Sequence, residues 1–267
     1  MGELFQMWGN TRMVVLTAIC AALYAALLIP FKVIPLIPGI TEFRPANAVP
    51  VVCSFLFGPA AAWGAAFGNL IGDFFGGLGP GDFFGFFANL FYGLVPYLLW
   101  ESLTDVEPVP QRPSAFALGT SRVADLRILP VIAIAATLCA TVVGWGLHSL
   151  GFHPFRVLAS VVLMNNLVVA VVLSPFLLAV LYPRVSKAHL LYRDILGPRV
   201  RLPRWRVWLG VTLVVGGTIA AFAAGQLIDN GRWLAPWAAH RTDSHAFEVG
   251  LGLVPFLATA ILGLAIL

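Results

Sequence analysis

Long apolar runs alternate with short polar segments along the whole chain. Eight such runs are separated by prolines, glycines or charged residues, and they cover residues 13–29, 46–57, 60–75, 83–99, 128–147, 157–181, 207–228 and 249–267. Most approach the ~20 residues with which an α-helix crosses the hydrocarbon core of a bilayer. The pattern therefore predicts an all-α polytopic membrane protein that crosses the bilayer about six to eight times.

The second run and the last two runs differ from the others. Pro45 precedes the second run and Gly58 and Pro59 end it. It is too short to cross as a straight helix, so we expect it to be tilted or partly re-entrant. The last two runs follow a basic segment and contain little polarity. We therefore predict a six-span membrane domain over residues 1–182, a basic cytoplasmic loop over 183–206 and two additional transmembrane helices over 207–267.

The composition supports this class, and the distribution of basic residues orients the chain. Hydrophobic residues make up 60% of the sequence and charged residues 10%, which is too little charge to cover a soluble domain. With the N-terminus inside, the cytoplasmic segments hold Arg12, Arg112, Arg122, Arg127, Arg184, Lys187, Arg193, Arg199, Arg201, Arg204 and Arg206. The external segments hold Lys32, Arg44, Arg156, Arg232 and Arg241. This asymmetry follows the positive-inside rule.

The net charge of +4 does not indicate a nucleic-acid partner, because the uneven distribution of Lys and Arg between the two membrane sides accounts for it. We predict a multi-pass protein of the cell membrane with a cytoplasmic N-terminus and exposed cytoplasmic loops at residues 101–127 and 184–206. The basic loop serves to anchor the topology, or it contacts anionic lipids or a partner.

No motif of enzymatic, metal or nucleotide chemistry stands out. The three cysteines lie inside apolar runs, where we expect small buried hydrophobic residues. The glycine-rich loop at residues 76–82 lacks the spacing of a phosphate-binding loop. The histidines lie beside external turns, and we expect solvated loop residues there: His148, His153, His240 and His245, with Asp243 between the last two. We therefore predict a non-enzymatic protein without metal or cofactor.

The polar residues of the apolar runs collect toward one end of the predicted helices. Asn69 and Asp73 share a helix face, since they are four residues apart, and Asn165 and Asn166 lie well inside the sixth run. Intramembrane polar groups are costly and mark functional sites. The predicted substrate-binding residues are Glu42, Arg44, Asn47, Asn69, Asp73, Asp82, Asn89, Tyr92, Asn165 and Asn166.

Six of these ten residues also have a structural interpretation. In that interpretation Glu42 and Arg44 form an ion pair at a span boundary, and Asp73 is a solvated residue at the end of its helix. Asp82 caps the fourth span, and Asn165 and Asn166 join helices. The stiff segment at residues 30–39 contains three prolines, and it is either a lid over the site or a plain connection in the interface.

Ala18, Ala22 and Ala26 recur every four residues in the first span. Small residues at this spacing form a smooth face that lets another helix approach closely. The spacing alone favours packing within the chain and docking of a partner equally.

The first six spans, from about Thr11 to Leu181, resemble the substrate-binding S component of energy-coupling factor (ECF) transporters. The alanine ladder, the stretch at residues 42–47 and the Gly/Asp loop at residues 72–82 carry the resemblance. The last two features look most like the branch assigned to queuosine precursors. The resemblance implies six helices, a substrate site near the external side, and a transmembrane coupling subunit that docks on Ala18, Ala22 and Ala26.

The function implied by this resemblance is uptake of a scarce micronutrient, a vitamin or a queuosine precursor. The chain has no nucleotide-binding motif, so ATPase partner subunits would supply the energy. A carboxylate at Glu42 or Asp82 would accept hydrogen bonds from the N–H edge of a 7-deazaguanine, and Phe43, Phe84 or Tyr92 would stack on the ring. The alternatives are a membrane-embedded enzyme with Asp73 or Asp82 as base on a lipid-like substrate, and a non-catalytic membrane subunit.

Overall fold

The computed structural model consists of helices joined by short connections. It describes residues 2–31, 35–37, 41–42, 44–104, 108–109, 125–197, 202–238 and 245–267. The helices are α1 (Gly2–Gln6), α2 (Thr11–Leu28), α3 (Ala48–Phe57), α4 (Pro59–Phe74), α5 (Gly81–Leu103), α6 (Ile128–Ser149), α7 (Phe155–Lys187), α8 (Tyr192–Leu196), α9 (Arg204–Asp229) and α10 (His245–Ile266). Short 3-10 turns at Met7–Gly9, Ile29–Phe31 and Pro45–Asn47 flank three of them.

Every predicted apolar run corresponds to a helix. Within the described ranges, six helices are long and apolar enough to span a membrane: α2, α5, α6, α7, α9 and α10. The fold class, a helical membrane protein with two further helices after a six-helix core, is thereby confirmed. The helices extend beyond the predicted runs at their polar ends, because charged residues such as Arg204 and Lys187 continue a helix into the interface.

A small hairpin interrupts the helices after α2. The strands β1 (Pro35–Ile37) and β2 (Thr41–Glu42) pair antiparallel. β1 lies in the segment predicted as a lid or connection, residues 30–39, and β2 follows it. Residues 32–34 and 38–40 lie outside the described residues, so the choice between a lid and a connection stays a prediction.

Glycines bring α4 against α2. A Cβ atom at Gly68 would lie 2.8 Å from the carbonyl oxygen of Ala21. Cβ atoms at Gly64 and Gly72 would overlap the side chains of Cys20 and Leu28. The three glycines are spaced by four residues and share one helix face. This face lets the two backbones approach, and it buries the Ala21 side of α2.

The second run forms the short helix α3, which is buried inside the bundle. It has 10 residues and is continued at its start by the Pro45–Asn47 turn. Gly58 follows it with a φ of +53°, a left-handed conformation that glycine adopts without strain. The chain then reverses into α4, a helix of 16 residues. Whether α3 is tilted or partly re-entrant in the membrane stays a prediction.

The connection after α5 begins later than predicted. Glu101 belongs to α5 and its side chain is only 11% exposed. Its carboxylate accepts hydrogen bonds from the Tyr192 hydroxyl and from Nε of Arg193, the latter at 2.5 Å. The basic segment is likewise not a plain loop, because α7 continues to Lys187 and α8 follows. These contacts hold α8 against the end of α5, where an exposed loop was expected.

The two C-terminal helices form a tight hairpin on one side of the core. A Cβ atom at Gly217 of α9 would lie 2.6 Å from the Ala260 nitrogen of α10. The pair packs on α6 and also contacts α7 and α5. The first transmembrane helix, α2, packs on α4 and α3. The added helices therefore cover the part of the bundle formed by α6 and α7.

Candidate functional site

A cavity of about 100 Å³ lies inside the core, near one end of the helices. The end of α2, the starts of α3, α5 and α7, and the end of α6 meet there, because successive helices run in opposite directions. Its polar lining is Tyr24, Arg44, Asn47, Asn89, Cys139, Asn165 and Asn166, and its apolar lining is Val143, Leu147, Leu158 and Val162. Five of the ten predicted site residues therefore share one cavity.

A hydrogen-bond network joins the polar walls. The Tyr24 hydroxyl lies 3.1 Å from Oδ1 of Asn47 and 3.0 Å from Oδ1 of Asn89. The Asn47 amide donates to Oδ1 of Asn166 at 2.6 Å. All four side chains are almost fully buried. A hydroxyl has one proton, so only one of the two amide oxygens can accept it at a time, and the other can accept a hydrogen bond from a ligand.

The network extends to α5 and α6 through Asn166. Its side-chain amide donates to the Cys139 sulfur at 3.4 Å, and its backbone carbonyl oxygen accepts from the Tyr92 hydroxyl at 3.3 Å. Asn166 thus joins helices, as one interpretation of the sequence predicted. Its neighbour Asn165 lines the cavity beside it, so the asparagine pair contributes to both packing and the cavity wall.

A second polar pair lies next to this network. Nδ2 of Asn69 donates to Oδ2 of Asp73 at 2.5 Å. A Cβ atom at Gly85 would lie 3.2 Å from Nδ2 of Asn69, and the carbonyl oxygen of Gly85 accepts from Asn89 at 2.9 Å. The pair therefore adjoins the Asn89 wall. Oδ1 of Asn69 is buried and accepts no hydrogen bond from the described residues.

Of the predicted carboxylates that the structure describes, neither Asp73 nor Asp82 lines the cavity. Oδ2 of Asp82 accepts from the Gly79 amide at 2.6 Å, so this side chain stabilises the loop before α5. The cap residue of α5 is Pro80, which makes no side-chain cap bond, so the predicted capping role of Asp82 is wrong. The side chain of Glu42 lies outside the described residues, and its ion pair with Arg44 stays a prediction.

Tyr24 and Cys139 belong to the cavity but were not predicted as site residues. Between Thr17 and the end of the first apolar run, Tyr24 is the one side chain with a hydroxyl group. A polar group at this position of an apolar run could have identified it. Cys139 gave no signal, because a cysteine in an apolar run is usually a small buried hydrophobic residue. All three cysteines are indeed buried and free.

The external histidine His148 is not a solvated loop residue, contrary to the prediction. It lies in the last turn of α6 and is 7% exposed. Nδ1 accepts from the Phe155 amide at 3.0 Å, and Nε2 lies 3.8 Å from Oδ1 of Asp229. The C-terminal helices cover it, which the sequence could not indicate. His240, Asp243 and the side chain of His245 lie outside the described residues.

The alanine ladder of α2 lies on the surface of the chain. Ala18, Ala22 and Ala26 are exposed, whereas Ala21 and Ala25 are buried. The ladder therefore does not pack within the chain. The apolar neighbours Ile19 and Leu23, also exposed, extend the same face.

Apolar helices long enough to span a membrane surround a polar cavity, an arrangement typical of a membrane transport component. The chain belongs to the QueT transporter family, whose sequence model matches residues 14–183. The match covers the first six spans and ends before α9, as the resemblance to S components implied. The family is a transporter component, so the chain is not an enzyme. No curated protein and no solved structure matches the chain.

Proposed function

We propose that the chain captures a queuosine precursor, a 7-deazaguanine base, in the cavity between α2, α3, α5, α6 and α7. The observation that supports this most directly is the buried amide network of Asn47, Asn89 and Asn166. Amides offer donors and acceptors without the cost of a buried charge. They suit a neutral heterocycle whose edge carries both N–H and C=O groups.

Arg44 adds the one cationic group of the described cavity lining. A guanidinium donates to a carbonyl oxygen, and the amide oxygens accept from the ring and amino N–H groups. Oδ1 of Asn69 is a further buried acceptor beside this wall. The arrangement therefore matches an amide-containing ring better than a purely apolar ligand.

The cavity of about 100 Å³ is smaller than the roughly 300–1,000 Å³ of typical ligand pockets. A fused ring system needs more room than this. Substrate entry therefore requires a wall of the cavity to move outward.

We also propose that a transmembrane coupling subunit docks on the exposed ladder of Ala18, Ala22 and Ala26, and that ATPase subunits drive uptake. The ladder is smooth and apolar, and neither α9 nor α10 covers it, since all three alanines are exposed. Docking would then leave the C-terminal hairpin free in the lipid. The external side is the end that carries the cavity.

Binding of 7-deazaguanine to the purified chain, measured by calorimetry, tests the substrate. We expect Asn89→Ala to lower the affinity roughly fivefold to a hundredfold, the loss of one buried hydrogen bond of about 1–3 kcal/mol. Asp82→Asn is the matched control and should bind like wild type, because the Asp82 side chain bonds the Gly79 amide in the loop before α5.

Two results would contradict this proposal. One is wild-type protein, folded and monodisperse, that does not bind the base. The other is a folded Asn89→Ala variant with unchanged affinity alongside a weakened Asp82→Asn variant, which would move the site from the cavity to the loop before α5.

A further inference from the structure

The N-terminus of α7 has no cap of its own. Its cap residue is Pro154, which makes no side-chain hydrogen bond to the helix. The first amides of a helix lack partners within the helix and need acceptors from elsewhere. In a membrane protein this need is acute when the helix end is covered by other helices.

Two other helices provide those acceptors. The Phe155 amide donates to Nδ1 of His148, at the end of α6, at 3.0 Å. The Arg156 amide donates to Oδ2 of Asp229, at the end of α9, at 2.9 Å. The side chains of His148 and Asp229 are 9% and 6% exposed. The Asp229 carboxylate also lies at the positive end of the α7 dipole, where a negative charge is stabilising.

Apolar packing joins the same three helices. The Phe155 ring fills the space left by two glycines, since a Cβ atom at Gly144 would lie 3.2 Å from it and one at Gly225 would overlap it. One turn further, Nε2 of Gln226 donates to Ser160 at 3.1 Å. The last turns of α9 therefore hold the first turns of α7 through both backbone and side-chain contacts.

These turns of α7 lead directly into the cavity wall. Leu158 is one turn from the capped amides, and Val162, Asn165 and Asn166 follow on the same helix. We propose that α9 is a positioning element of the binding site, in which Asp229 is the principal positioning residue and sets the α7 wall of the cavity. This role rests on the proposed function, because it assigns the cavity as the binding site.

The native Cys139 allows the wall to be tested without a ligand. It lies in the cavity lining, 2% exposed, and accepts a hydrogen bond from Asn166 of α7. In full-length protein with Cys20→Ala and Cys53→Ala, we would measure the rate at which methyl methanethiosulfonate modifies Cys139. Outward movement of α7 breaks the contact with Asn166 and exposes the thiol.

We expect Asp229→Ala to raise this rate about fivefold, the factor that corresponds to the ~1 kcal/mol typical of a helix cap. Asp229→Asn keeps an acceptor oxygen and should raise it less. Asp194→Ala removes an exposed carboxylate on α8 and is the matched control, with no change expected. If Asp229→Ala does not fold, Gln226→Ala gives the same readout through the second contact.

A second cysteine distinguishes a movement of the α7 wall from a general loosening of the helix bundle. With Cys53→Ala and Cys139→Ala, the remaining Cys20 lies between α2 and α4, away from α9. Asp229→Ala should leave its rate unchanged. Equal increases at Cys20 and Cys139, or no increase at Cys139, would overturn the positioning role. If Asp229→Ala raises the modification rate of Cys139 alone and 7-deazaguanine does not bind, the substrate proposal fails. The inference that α9 sets the position of the α7 wall then still holds.

Discussion

At the scale of single residues, asparagine is the most frequent buried polar side chain of the described core. Asn47, Asn89 and Asn166 are buried in an apolar bundle and satisfy one another with Tyr24. A neutral amide is less costly to bury than a carboxylate. This explains why the described cavity is lined by amides, while the carboxylate of Asp82, in the first turn of α5, bonds the loop before that helix.

We expect Asn166→Ala to destabilise the protein by about 1–3 kcal/mol, because it removes a bonding partner of Asn47 and leaves that amide buried without it. Ser174→Ala on the same helix is the control. The Ser174 hydroxyl is buried with no hydrogen-bond partner among the described residues, so its loss should be neutral. Thermal unfolding of purified protein compares the two, and equal shifts would contradict a stabilising role of the network.

At the scale of elements, α2 has two faces of small residues with different tasks. The Ala21 side meets the glycine face of α4, and the side formed by Ala18, Ala22 and Ala26 is exposed. Both faces permit close helix approach. The structure uses one face for folding and leaves the other to lipid or a partner.

We expect Ala22→Leu to weaken co-purification with a coupling subunit while leaving folding and base binding unchanged, since a larger side chain on the exposed face separates two helices. Ala223→Leu, at an exposed position of α9, is the matched control and should not affect co-purification. Equal losses in both variants would exclude α2 as the docking helix. Joint loss of folding and binding in Ala22→Leu would show that the ladder packs internally.

At the scale of the whole molecule, the course of the helices relates the cavity to the membrane faces. The 33 residues of α7 span roughly 50 Å, more than the ~30 Å hydrocarbon core. The turn before α7 and the segment after it therefore lie on opposite sides of the bilayer. The cavity lies toward the turn before α7.

We expect an impermeant thiol reagent added to intact cells to label Phe152→Cys strongly and Leu190→Cys weakly, in a background without the native cysteines. Both positions are exposed at opposite ends of α7. The expectation follows from the excess of Lys and Arg around residues 184–206. Strong labelling at position 190 and none at position 152 would invert the orientation and place the cavity on the cytoplasmic side.

The apolar runs by themselves predicted the helices α2 to α7, α9 and α10, because a span must be long, apolar and internally hydrogen-bonded whatever surrounds it. They did not indicate the short helices α1 and α8. The short α3 and the glycine turn after it also followed from sequence. Asn47, Asn89 and Asn166 were identifiable because a buried amide in an apolar run is costly without a partner.

Only the tertiary structure decided which of these groups meet. Asn47 and Asn166 are 119 residues apart, and the contact between them depends on how α3 and α7 pack. Packing also buried His148 beside Asp229 of α9 and left Ala18, Ala22 and Ala26 exposed. The spacing of residues defines the face of a helix, but neighbouring helices decide whether that face is a core, a cavity wall or a surface.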